Sequence, residues 1–292
     1  MSPTFRRMFA LCAVALIALS AQGCGKKDKP TDPNPSLAQE DADDMMQQVA
    51  MMIATDRGGW LVDLQSTRAS MPLGGPVVPG PSLSQRVLMP ASSGGGGFRT
   101  NRDTTAIFGS MNYNFFYFYT DTLGDSLGTY DPGVIQVDGV STANGTVNAP
   151  GFDANFYHKG DPITGTGFEA GSDTINFSGV GDDSMYVTFT PAFRTGSRRF
   201  ATVSFVDYDV DMVRDPAGNP YPISGLATMF LFADVLTSPN PNDIFTTHEA
   251  TVTYYFDGTA TPIVGITNNL DDETPQYRYR ADLRTGAITR LP

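Results

Sequence analysis

Beyond about residue 101, the sequence consists of short aromatic and β-branched runs separated by turn-forming dipeptides. Alternation of apolar and polar residues within such runs is typical of strands, because successive side chains of a strand point to opposite faces. No helical pattern that could supply parallel crossovers lies between the runs, so we expect neighbouring strands to be antiparallel. The sequence therefore predicts a mainly β domain over residues 101–292. About ten to twelve strands would form an antiparallel β-sandwich, a barrel or a strongly curved sheet.

Three dipeptides predict tight hairpin turns within this domain. They are Asp138-Gly139, Asn144-Gly145 and Asp257-Gly258. Such pairs tolerate the positive φ angles that two-residue hairpin loops require.

One amphipathic helix is predicted before the β domain, over residues 36–58. Ser36 and Gln39 match a capping box, acidic residues follow in the early turns, and Gly58 and Gly59 end the pattern. The apolar stripe consists of Met45, Val49, Met52 and Ile53. Residues 59–100 are rich in glycine, proline and serine, which indicates a linker between the helix and the β domain.

The first residues predict export. Arg6 and Arg7 precede an apolar run that is too short for a stable membrane span, which is typical of a signal peptide over residues 1–23. The small residues before Cys24 resemble the lipobox of bacterial lipoproteins. This resemblance implies that Cys24 is acylated, that residues 24–35 are a tether, and that the protein lies in the cell envelope. Gly25 after the cysteine favours the outer membrane, again by resemblance. The alternative is an ordinary secretory signal that leaves Cys24 as a free thiol or half of a disulfide.

Composition excludes several kinds of partner and site. The formal net charge is −12, so the chain lacks the basic field that nucleic acid binding needs. The only other cysteine, Cys12, lies within the predicted signal peptide, so neither a thiolate zinc site nor a cysteine nucleophile is expected. We therefore expect no cofactor, with calcium as the one candidate ion.

The calcium candidate is the segment VDYDVD, in which Asp207, Asp209 and Asp211 occupy alternate positions. Together with Asp215 in the following turn-rich segment, these carboxylates could bind a hard cation. The alternative is that they form the solvent-facing side of a strand, because same-face residues lie about 6.5 to 7 Å apart. Arginines alternate similarly in the closing segment from Arg278, and cross-strand ion pairs would form if the two strands were neighbours.

A ligand site is the second candidate. Met45 and Met52 could form an adaptable apolar surface, or they could simply pack against the sheet. Tyr117 and Tyr119 belong to an aromatic run that could contact a ligand. Large rings on both faces of that run more often indicate a central strand buried on both sides.

Catalytic motifs are sparse. His158 and His248 are the only histidines, they lack metal-site spacing, and no Gly-x-Ser-x-Gly motif is present. The sequence therefore predicts a non-catalytic cell-envelope lipoprotein with a binding or structural role, which could hold an apolar small molecule. The alternative is a glycan-binding module or a glycoside hydrolase with a pair of carboxylates. Protein partners and oligomeric state are not predicted.

Overall fold

The computed structural model describes most residues from Leu37 to the carboxyl end. The described ranges are 37–57, 87–90, 98–106, 109–127, 134–149, 152–168, 171–189, 198–215, 217–237, 245–268 and 275–292, with residues 60, 61, 64, 65, 68 and 193. The predicted signal peptide, Cys24 and the tether lie outside them. No helix in these ranges is long and apolar enough to cross a membrane.

The described strands form one antiparallel sheet of 13 strands. They are β1 (Val87–Pro90), β2 (Phe98–Ala106), β3 (Gly109–Asp121), β4 (Ser126–Leu127), β5 (Val134–Ala149), β6 (Phe152–Thr166), β7 (Thr174–Phe189), β8 (Arg198–Val213), β9 (Ser224–Thr237), β10 (Phe245–Tyr255), β11 (Ile263–Thr267), β12 (Tyr277–Ala281) and β13 (Ile288–Arg290). Each strand pairs with its neighbours in sequence, except that β4 pairs only with β3, beside the β3–β5 pair. The path is open, with β1 and β13 at its two ends. The predicted mainly β, antiparallel fold is therefore confirmed, and the barrel alternative is not realised.

Two of the three predicted hairpin turns are wrong. Asp138-Gly139 and Asn144-Gly145 both lie inside β5, which continues for 16 residues. Gly139 pairs with Ile163 and Ser141 pairs with Gly160, so the extra residue at this register shift lies in β6. Gly139 is an interior position of β5, which continues through it without a chain reversal. The third dipeptide does lie in the connection between the paired strands β10 and β11, where Gly258 has a φ of 81°. The connection spans residues 256–262, so it is longer than the predicted tight turn.

The helix α1 comprises Gln39–Ile53. It begins later than the capping-box pattern predicts: Ala38 occupies the N-cap position without a side-chain cap, and Ser36 lies outside the described residues. The side chain of Gln39 instead donates hydrogen bonds to Asp43 and to the hydroxyl group of Tyr279. A short 3₁₀ turn, Thr55–Arg57, follows the helix.

Helix α1 is buried over most of its circumference. Its apolar side chains pack in the core, and each fully buried aliphatic or thioether side chain contributes about 1.5 to 3 kcal/mol. Polar residues of the helix are buried too, including Asp44 and Gln48. Gln48 reaches Thr202 on β8, whereas Asp43 reaches β12 and β13. In a flat sheet, β8 and β13 would lie five strand spacings apart, or about 24 Å, which is about twice the diameter of a helix. Because the single helix α1 contacts both strands, we infer that the sheet curves around it.

The predicted linker contains ordered structure. Residues Leu61, Leu64, Gln65 and Arg68 are helical, and β1 and the start of β2 also lie before residue 101. Trp60 stacks on Tyr208 of β8, with ring centroids 5.1 Å apart. These residues between 60 and 68 therefore pack on the same side of the sheet as α1.

Candidate functional site

The two faces of the sheet differ, and β8 shows the difference clearly. Four alternate residues of this strand are buried beneath the helical segments: Val206, Tyr208, Val210 and Met212. We call this side the helix-covered face and the other side the open face. Asp207, Asp209 and Asp211 lie on the open face, where Asp209 is exposed and its two neighbours are half-buried. The predicted alternation along this strand is confirmed.

The aspartates of β8 are engaged by protein donors. The amide nitrogen Nδ2 of Asn176 donates to Asp209 at 2.7 Å and to Asp211 at 3.1 Å. The hydroxyl group of Ser224 donates to the second oxygen of Asp211 at 2.7 Å. Neighbouring strands thus hold two of these carboxylates in defined positions on the open face.

Asp215 takes part in the turn that follows β8. It accepts a hydrogen bond from the backbone N–H of Ala217 at 2.8 Å, which stabilises its own turn. Asn219 donates to the carbonyl oxygen of Gly258 rather than turning toward Asp211. Across the described ranges, no group of three or more histidine, cysteine, aspartate or glutamate residues is arranged to hold a metal ion. A calcium site at Asp207, Asp209, Asp211 and Asp215 stays a prediction.

The condition for ion pairs between the arginine strand and the aspartate strand is not met within one chain. Arg278 and Arg280 lie on β12, which pairs with β11 and β13, so three strands separate them from β8. Both arginines are exposed on the open face, and Arg280 donates to the carbonyl oxygen of Thr261 at 2.9 Å.

Three of the predicted ligand-binding residues, Met45, Met52 and Tyr119, belong to the hydrophobic core or pack against it. Met45 is fully buried in the core, and Met52 is half-buried against it. Tyr119 is also buried, and the side chain of Tyr117 lies outside what the structure describes, although β3 does lie between β2 and β5 as a central strand. Met45 and Tyr119 therefore have the environment of packing residues.

Of the two histidines, only His248 has a side chain that the structure describes. His248 is buried on β10, with its Nε2 atom 3.8 Å from a carboxylate oxygen of Asp41 on α1. This contact joins the helix to the sheet. His158 lies on β6 opposite Asp183, and their side chains are outside the described set.

Sequence reasoning missed two exposed tyrosines on the open face. Tyr157 of β6 is 44% exposed and Tyr186 of β7 is 52% exposed. Their strand partners are Ser184 and Asn155, so the two tyrosines are diagonal neighbours, about 7 to 8 Å apart. The residue opposite Tyr186 on β8 is Ala201, whose small side chain leaves this ring open to solvent. The alternation of inward and outward residues could have revealed the pair, because each tyrosine takes an outward position in a strand whose other outward residues are mostly polar.

A group of side chains with polar atoms is buried between the helical segments and the sheet. Arg68 donates through Nη1 to the carbonyl oxygens of Val213 and Asn219, at 3.2 and 2.6 Å, and burial lowers its pKa while nearby Asp215 partly offsets that shift. The Nε1 of Trp60 and the hydroxyl group of Tyr254 are buried without a hydrogen-bond partner. Burial also raises the pKa of Tyr254.

Comparison of the chain with models of protein families, with curated proteins and with solved structures found no match.

Proposed function

We propose that the protein is a non-catalytic, lipid-anchored binding protein of the cell envelope, and that it binds glycan on the open face of its sheet. The observation that carries this proposal is the exposed pair Tyr157 and Tyr186 on adjacent strands. The anchor at Cys24 and the outer membrane location remain proposals that rest on the resemblance of the first 24 residues to a lipoprotein signal.

The chemistry around the tyrosine pair suits a carbohydrate. A tyrosine ring offers a flat apolar face and a polar tip, so it can stack on the C–H face of a sugar ring while its hydroxyl group hydrogen-bonds. Asn155 and Ser184 lie beside the rings, and both are exposed. Their amide and hydroxyl groups can donate and accept hydrogen bonds, as sugar hydroxyls require. An extended strand surface would suit a chain of sugars better than a single small molecule.

The test is a sedimentation assay with insoluble polysaccharides, including purified peptidoglycan, chitin and cellulose. We expect the wild-type chain to bind at least one of them. The double variant Tyr157→Ala with Tyr186→Ala removes both rings and should abolish binding. The matched control, Tyr157→Phe with Tyr186→Phe, keeps both rings and should retain most of it. Equal binding by the alanine and wild-type proteins, or no binding to any polysaccharide, would refute the proposal.

An apolar small molecule is the second candidate. The buried donors of Trp60 and Tyr254 favour it, because buried polar groups normally have a partner and a ligand's polar end could supply one. Native mass spectrometry of the chain, purified without detergent and followed by solvent extraction, tests this candidate. A bound lipid that is lost from Trp60→Phe would support it, and a clean unliganded mass would argue against it.

A further inference from the structure

The strand register places a charged, self-complementary patch on the open face across β8 to β12. We propose that this patch binds a second copy of the same chain, with the aspartates of β8 in one copy paired with the arginines of β12 in the other. The proposal is independent of glycan binding, because it uses other residues and other strands.

The patch consists of two rows of directly paired residues. The first row runs Asp209, Leu226, Tyr255, Ile263 and Arg280, one residue from each strand. It begins with an acidic residue, crosses an apolar centre and ends with a basic residue. Leu226 is 47% exposed and Tyr255 is 38% exposed, so the centre of the row presents two large side chains to solvent.

The second row lies two residues along the strands from the first and has the same order of charges. It runs Asp207, Thr228, Thr253, Gly265 and Arg278. A Cβ on Gly265 would meet the ring of Pro275, so this proline lies over the second row. Both rows therefore carry a carboxylate on β8 and a guanidinium group on β12.

A two-fold axis along β10 makes this patch complementary to itself. In a face-to-face dimer with that axis, each strand faces the strand equally far on the other side of β10. Asp209 would meet Arg280 of the second copy, Leu226 would meet Ile263, and Tyr255 would meet its own equivalent. Rotation about a strand axis also preserves the hand of the sheet twist. Because the sheet curves around α1, the open face is convex, so the two copies would approach most closely at Tyr255, and the long arginine side chains would reach outward to the aspartates at the edges of the patch.

The expected dimer is reversible. Four intervals of about 4.8 Å make the patch about 19 Å wide, and its two rows fall short of the 800 Å² per partner that is typical of a stable interface. Exposed ion pairs each contribute only about 0.2 to 1 kcal/mol and are screened by salt. The dimer should therefore weaken as ionic strength rises.

Charge variants provide the sharpest test. The full chain is studied by sedimentation velocity over a range of concentrations, as wild type, as Asp209→Arg and as Arg280→Asp. Each single variant creates two like-charge contacts in its own dimer and should weaken association by more than about tenfold. An equimolar mixture of the two variants restores an opposite charge at both contacts, so it should form a heterodimer about as tightly as the wild type dimerises.

Cross-linking at the axis provides a second, independent measurement. The two copies of Tyr255 should face each other, so the variant Tyr255→Cys should form a covalent dimer with a short bis-maleimide. Tyr186→Cys is the matched control, because Tyr186 is more exposed than Tyr255 but lies far from the axis. The chain without an added cysteine is the blank. A wild-type protein that stays monomeric at all concentrations, a mixture that fails to associate, or equal cross-linking at the two positions would overturn the proposal.

Discussion

Asp43 of α1 is the residue whose replacement should most weaken the attachment of the helix to the sheet. Its side chain is only 1% exposed. One carboxylate oxygen accepts hydrogen bonds from Tyr279 at 2.8 Å, from Arg290 Nε at 2.9 Å and from Gln39 at 3.1 Å. The other accepts from Arg290 Nη2. The hydrogen bond to this carboxylate raises the pKa of Arg290, and burial followed by the same carboxylate raises that of Tyr279.

The variant Asp43→Ala should lower the free energy of unfolding by about 2 kcal/mol. It leaves the buried hydroxyl group of Tyr279 without its carboxylate acceptor, and a buried donor without an acceptor costs about 1 to 3 kcal/mol. Arg290 is 42% exposed, so water hydrates its guanidinium group once the carboxylate is gone, and its loss of a partner adds little. For a domain of this size, the melting temperature should fall by roughly 4 to 8 °C.

Urea unfolding of four proteins separates these contributions: wild type, Asp43→Ala, Tyr279→Phe and the double variant. Tyr279→Phe alone should cost about 1 kcal/mol, and the double variant should cost less than the sum, because both changes remove the same hydrogen bond. Asp43→Asn is the matched control. It keeps an acceptor for three of the four donors and should fall between wild type and alanine. Strict additivity, or a loss below about 1 kcal/mol for Asp43→Ala, would mean that this network does not hold the helix.

Three further changes have defined outcomes. Gly225→Ala should lower the melting temperature more than Gly124→Ala. Both glycines have a positive φ, but a Cβ at Gly225 would overlap the backbone of β8, whereas no atom lies within 4 Å of a Cβ at Gly124. Hydrogen bonding by Thr259 lowers the pKa of Asp257, so this aspartate contributes stability above its unfolded pKa and loses it as the pH falls through the folded value. Thr259→Ala should raise the pKa of Asp257 in an NMR titration, and no change would refute that cause. Cys24→Ser should move the protein from the membrane fraction to the soluble fraction if the cysteine carries the anchor, and unchanged membrane association would rule the anchor out.

The sequence predicted the features that depend on local periodicity. The alternation of VDYDVD gives the correct face for every residue of that segment, because one side of β8 packs in the core and the other side faces solvent. It also placed the N-terminal helix to within a few residues of its ends. The Asp138-Gly139 prediction failed because a glycine can occupy the interior of a long strand as well as a turn, and β5 continues through this dipeptide. Local spacing cannot distinguish the two.

Features that depend on which strands are neighbours were not predictable in the same way. Arg280 and Asp209 seemed suited to each other by charge alone, yet three strands separate them within one chain. Strand order decides whether matching charges meet inside a molecule, and the sequence does not reveal that order directly. The same separation places acidic residues at one side of the patch on the open face and basic residues at the other. The charges that do not pair within one molecule are therefore the ones proposed to pair between two molecules.

The two proposed surfaces of the open face can act together, since they lie far apart. Tyr186 is opposite Ala201, eight residues along β8 from Asp209, which is about 26 Å in an extended strand. A dimer through β8 to β12 would therefore leave the tyrosine pair of each copy free and present two glycan sites at once. Two linked sites bind a polymer more tightly than one, even though no contact changes. Asp209→Arg should then weaken binding to an insoluble polysaccharide while leaving the affinity for a short soluble fragment unchanged. Loss of affinity for the fragment would show that the two surfaces are not independent.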